Sequence, residues 1–207
     1  MKRSSAVLLV AGGVVVGVAV AMVVVPGFGP RSVVNRVIEA FGGVTCDDEQ
    51  CPPDAGWMWP VEAPVTSAFR SAERPEHHGV DMAADRGSPV LAASAGVVIT
   101  AECEASLQGE PYGCDRDGST EVRGCGWYVK VLHAHHTATL YCHLQQEPEV
   151  SVGDTVVTGE LLGYVGSTGN SSEPHLHFEV QTGSTFDPPR SATAVDPVQF
   201  LAERRTP

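Results

Sequence analysis

The stretch SSEPHLHFEV, residues 171–180, holds two histidines one position apart between a proline and a run of strand-forming residues. In a strand successive side chains alternate faces, so His175, His177 and Glu179 point one way while Leu176, Phe178 and Val180 point the other. One face is therefore apolar, and the other carries two imidazoles and a carboxylate. Such a strand belongs in a half-buried sheet, and its polar face suits a metal or acid–base site if the rest of the chain supplies partners.

Working outward from it, residues 57 onward read as short β-rich runs broken by Gly, Pro, Asp and Ser. These are PVTSAFR, GVDMAA, PVLAASAGVVITAEC, GWYVKVLH, TATLYCHL, DTVV, LLGYVG and HLHFEV. With no strong helical periodicity between them, they predict an all-β, mainly antiparallel barrel or sandwich-like sheet. Residues 104–124 are long and polar, and they read as an insertion between two paired strands, pinned by Cys114 and its partner. A weak internal echo links residues 87–98 with residues 153–166. The second stretch resembles the hairpin of biotinyl or lipoyl carrier domains, but those attach their cofactor to a lysine. Lys2 and Lys130 are the only lysines in the chain, so a carrier function is excluded.

The N-terminal part is of another kind. Residues 1–5, with Lys2 and Arg3, precede an uncharged apolar run from Ala6 to Val25. That run matches the ~20 residues a helix needs to cross a bilayer. The positive flank predicts a cytoplasmic N-terminus and a single-pass anchor with the body outside. The competing reading is secretion after cleavage near Ala19-Val20-Ala21. Residues 26–56 are rich in Gly, Pro and acidic residues and read as a linker, leaving 57–207 as the functional domain. An extracytoplasmic body makes the six cysteines disulfide candidates, since no C-x-x-C pair occurs. Cys46 and Cys51 are expected to close a small loop in the stalk; the connectivity of Cys103, Cys114, Cys125 and Cys142 stays open. With 13 Lys+Arg against 25 Asp+Glu, a net charge of −12 argues against nucleic acid as a partner.

Partners for the HLH strand occur in RPEHHGVDMAA. His77 and Asp81 lie four apart across Gly79, which permits a tight turn and a close approach. Asp81 is a carboxylate between Val80 and Met82, and a buried carboxylate needs a cation or a metal. Two histidines and an aspartate are three N/O ligands, the count of a catalytic zinc that keeps one position open. In TLYCHL, strand alternation would place His143 on the face of Tyr141 and turn Cys142 away from it. His135 and His136 read as solvated turn residues and His133 as a hydrogen-bonded strand residue.

Taken in order, HHGVD, YCHL, the G-S-T-G-N-S…P-H-L-H-F-E-V ending and VDPVQFL resemble the lysostaphin/LytM family of zinc metalloendopeptidases, which cut peptides in peptidoglycan. The resemblance implies one zinc ion held by His77, Asp81 and His177, with His143 and His175 as unligated catalytic histidines. His78, beside the ligand, is a bystander. Glu179 is either an acceptor for a ligand imidazole or a solvated surface glutamate. The implied activity is hydrolysis of peptidoglycan amide bonds. Its rival is a non-enzymatic wall-binding or regulatory module on the same fold.

Overall fold

The computed structural model describes residues 56–183 and 193–204. The apolar run Ala6–Val25, the linker and the Cys46/Cys51 pair lie outside the described residues. Among the described residues, no helix is long and apolar enough to cross a membrane.

The described residues form eleven strands and one helix in chain order: β1 (Val65–Ser67), β2 (Val80–Met82), β3 (Pro89–Leu91), β4 (Gly96–Leu107), β5 (Glu110–Pro111), β6 (Arg123–His133), β7 (Thr137–Leu144), β8 (Thr155–Val156), β9 (Leu161–Tyr164), β10 (Leu176–Thr182), β11 (Ala194–Val195) and α1 (Pro197–Arg204). The main sheet runs β1-β2-β10-β7-β6-β4-β5, with β11 on β10 and β8 on β4, while β3 and β9 form a separate two-stranded sheet. Every named pair is antiparallel. The all-β expectation holds, but among the described residues the sheet is open at β1 and β5 and no barrel closes.

Alternation along β10 places the core. Leu176, Phe178 and Val180 are fully buried and pack with Tyr141, Val129, Val131, Val80 and Met82. The small sheet contributes Val90 and Leu162 to the same core. The two echo segments meet here, since Val90 pairs with Gly163 across β3–β9 and Gly96 with Val156 across β4–β8. The run PVLAASAGVV therefore divides into β3 and β4, because its two ends serve different sheets. The helix α1 was not anticipated. Asp196 accepts the Val198 amide at 2.8 Å, Pro197 takes the first turn, and Phe200 and Leu201 bury against the core.

Two further expectations change. Residues 104–124 are not one loop: Glu104–Leu107 continues β4 and returns along β5 across Gln108-Gly109. Both turn residues have positive φ (55° and 90°), as a two-residue hairpin requires. The open disulfide connectivity resolves as Cys103–Cys114, which ties the rest of the insertion to β4, and Cys125–Cys142, which joins β6 to β7.

The second change concerns His143. Across β6–β7, Val129 pairs with Tyr141 and Trp127 with Leu144, so Cys142 and His143 together oppose Tyr128 alone. This is a β-bulge, and His143 carries φ 66°. Tyr141 and Leu144 both enter the core, which puts both intervening side chains on the opposite face. His143 therefore does not share a face with Tyr141, and Cys142 is not turned away from it. Simple alternation fails because the extra residue shifts the phase of the strand. Cys142 is removed from nucleophilic chemistry by its disulfide, not by its direction.

Candidate metal centre

The polar face of β10 lies beside β2 on one side and β7 on the other. His177 pairs directly with Asp81 and with Cys142. Gly79 allows this closeness: a Cβ there would lie 2.3 Å from the Phe178 carbonyl oxygen. The register brings three donor atoms together. His77 Nε2 lies 2.9 Å from Asp81 Oδ1 and 3.1 Å from His177 Nδ1, and His177 Nδ1 lies 2.8 Å from the same Oδ1.

The outer hydrogen bonds decide how those atoms are charged. His77 Nδ1–H donates to the Ala68 carbonyl at 2.9 Å, and His177 Nε2–H donates to Glu179 Oε1 at 3.1 Å. Each ring thus spends its proton outside the cluster and turns a lone pair inward. Arg74 binds Asp81 Oδ2 and also donates to Ser67 Oγ at 2.9 Å, which leaves Oδ1 facing the two rings. Three lone-pair atoms converging at this spacing require a cation between them, either a proton or a metal. Ligands at about 2.0–2.1 Å from a tetrahedral zinc stand roughly 3.3 Å apart, so the donor set fits that ion with small adjustments. His77, Asp81 and His177 are the one such metal-capable group among the described residues.

The electrostatics follow from the same contacts. Burial would raise the Asp81 carboxyl, but the proton it shares with His177 and the adjoining His77 ring outweigh it and hold the group well below the usual carboxylate range. Burial would lower His177, yet its bonds to Asp81 and Glu179 raise it to about 9 without a metal. Glu179 is 3% exposed, so the solvated reading is excluded. Its second oxygen accepts from the Gln181 amide at 2.8 Å.

His143 and His175 sit together beside the cluster, their rings 4.7 Å apart, with His143 6.1 Å from the His177 ring. His143 Nδ1–H donates to the Thr168 carbonyl at 2.8 Å, and His175 Nδ1–H donates to the Glu173 carbonyl at 2.9 Å. Both rings therefore have Nε2 free to exchange a proton; His175 Nε2 is 3.8 Å from Asp81 Oδ1. Burial pushes His143 down to about 3, helped by the neighbouring His175 and His177, so it rests as a neutral base. A groove of about 660 Å³ runs over these residues, lined also by Thr66, Arg74, Asp85, Thr120 and Asn170.

All five expected residues meet in one site. His78 stays outside it, 4.0 Å from Glu76, and His135 and His136 are exposed turn residues. His133 is buried and hydrogen-bonded to Ala95 and Thr139. Sequence reading missed Arg74, Thr168 and Gln181. Only Thr168 carried a signal, lying inside the Ser-Thr-Gly-Asn run.

The sequence that builds this site matches a known family model over residues 75–197, described as Peptidase family M23. The chain belongs to peptidase family M23. It is 34% identical over 136 residues to the DD-carboxypeptidase/endopeptidase Mpg of Neisseria meningitidis, covering 62% of this chain and 27% of that protein. It is 33% identical over 125 residues to lysostaphin of Staphylococcus staphylolyticus, covering 60% and 22%. The chain thus spans about a quarter of the length of these M23 relatives. Among solved structures, a peptidase M23 from Pseudomonas aeruginosa aligns with a TM-score of 0.53 and 29% identity over 72% of this chain and 52% of that one. Lysostaphin from Staphylococcus simulans aligns with a TM-score of 0.53 and 29% identity over 68% and 50%.

Proposed function

We propose that this M23 chain is a zinc-dependent endopeptidase that hydrolyses amide bonds in peptidoglycan peptides. The observation that carries the reading is the inward convergence of His77 Nε2, Asp81 Oδ1 and His177 Nδ1 beside two unligated imidazoles. These three residues would hold zinc. When bound, zinc supplies a Lewis acid for the scissile carbonyl and lowers the pKa of water to about 7.

The chain's own residues do the rest. Glu179 and Ala68 fix the ligand rings through their outer nitrogens, and Arg74 holds the second Asp81 oxygen. The Thr168 and Glu173 carbonyls fix His143 and His175 with Nε2 as the exchangeable atom. One imidazole removes a proton from the attacking water. The other, once protonated, donates toward the oxygen on which charge develops or toward the leaving amine. Both sit in the same groove, so each reaches a peptide laid across it. The presence of His77, Asp81, His143, His175 and His177 together supports the hydrolase over the non-enzymatic wall-binding or regulatory module.

The same proposal places the enzyme outside the cell on a single-pass anchor, Ala6–Val25. Two disulfides among the described residues support an oxidising compartment. Resistance of the full chain to alkaline carbonate extraction from membranes tests the anchor; release into the supernatant rejects it.

The decisive experiment incubates the zinc-loaded protein with purified peptidoglycan sacculi and follows released fragments and new amino groups by mass spectrometry. Release that requires both zinc and His143 supports the hydrolase, and fragment masses identify the bond. Binding of zinc and sacculi without release favours the non-enzymatic module.

A further inference from the structure

Within the insertion, residues 114–122 form a strap that crosses from β5 toward β6 beside the groove. It is held at several points. Cys114 is bonded to Cys103 of β4, and Cys114 and Val122 are buried at its two ends. Asp117 bridges to Arg86 at 2.7 Å, beyond β2, and the Tyr112 hydroxyl donates to the Asp117 carbonyl at 3.0 Å. The Gly118 amide donates to the Ser167 carbonyl at 2.8 Å. Gly118 is pressed so closely on the next loop that a Cβ there would fall 1.6 Å from the Gly169 carbonyl oxygen. Only a residue without a side chain fits that contact.

Two consequences reach the site. Thr120 becomes a wall of the groove, alongside Asn170 and Asp85. Gly118 contacts Ser167 and Gly169, the two residues that flank Thr168, and the Thr168 carbonyl is the one that fixes His143.

We propose that the strap is a specificity element of the proposed peptidase. Thr120 meets the peptide and sets which wall peptides the groove admits, while Gly118 acts as a positioning residue for His143. The inference rests on the reading of the groove as a peptidoglycan-peptide site, but its test does not require turnover. Binding of a purified cross-linked stem-peptide dimer to the full zinc-loaded chain is measured by calorimetry in a His143→Ala background, so that turnover does not contribute to the heat. Thr120→Trp fills the groove and is expected to weaken binding at least tenfold, while Thr120→Ser stays within threefold of the His143→Ala parent. Zinc affinity, read separately, stays unchanged in both.

For the wild type and Gly118→Ala, hydrolysis of the same dimer gives a second readout. The added methyl should lower kcat at least tenfold with a smaller change in KM, at unaltered zinc content. Equal binding by the His143→Ala parent and Thr120→Trp overturns the specificity role whether or not the peptide is cut, as does absence of binding by that parent. If the dimer is bound with this Thr120 dependence but never hydrolysed, the peptidase reading and the Gly118 role fail while the Thr120 binding role stands.

Discussion

Glu179→Ala tests the reasoning about the metal centre most directly. In the native site the carboxylate is buried and accepts two bonds, from His177 Nε2 at 3.1 Å and from Gln181 at 2.8 Å. Its removal leaves the His177 ring without the partner that fixes which nitrogen faces inward. Loss of such an outer acceptor typically costs 10–100-fold in metal affinity, or about 1.4–2.7 kcal/mol. The buried Gln181 amide and the partly buried His177 Nε2–H are also left unpaired, at about 1–3 kcal/mol for a fully buried donor before relaxation and less for His177. The variant should therefore lose both zinc affinity and some stability. Glu179→Gln retains an acceptor oxygen and should lose less of the affinity. Zinc affinity is read by competition with a chromophoric chelator, and folding by circular dichroism of the metal-free protein. A folded Glu179→Ala variant that binds zinc within twofold of the wild type would refute the outer-acceptor role.

Three other outcomes follow from the same geometry. His143→Ala should reduce kcat on peptidoglycan peptides by about a hundredfold or more while zinc affinity changes little; loss of zinc in step with activity would instead place His143 among the ligands. Since carboxylates raise metal-free His177 to about 9, that ring holds its proton through neutral pH and zinc must displace it. Affinity should then rise with pH through the neutral range and weaken in acid, with about one proton released per zinc at pH 7. Calorimetry in buffers of different ionisation enthalpy checks this, and zero release contradicts it. Cys125→Ser with Cys142→Ser removes a bridge across a sequence separation of 17, for which chain entropy gives about 3 kcal/mol. Urea unfolding should show a loss of that order, and an unchanged midpoint would count against it.

The sequence by itself determined the strand pattern and supplied the candidate donor residues. Alternation in HLHFEV is local, and a side-chain period of two fixes which residues share a face before any partner is known. The Gly79 contact was legible for the same reason, because a glycine between His77 and Asp81 has a local meaning. Seven of the eight strand segments became single strands of the fold; PVLAASAGVVITAEC divided because its halves pair with different neighbours. Pairings are not local. The direction of His143 depended on a bulge that exists only because two residues of β7 face one of β6, and no periodicity in TLYCHL announces it. The same holds for Glu179, whose burial required β2 and β7 to close over it, and for the disulfide pairs. Arg74, Thr168, Gln181 and the strap entered the site through contacts between segments distant in sequence. Sequence wrote the donors; only tertiary packing brought their lone pairs together and decided which protons they keep.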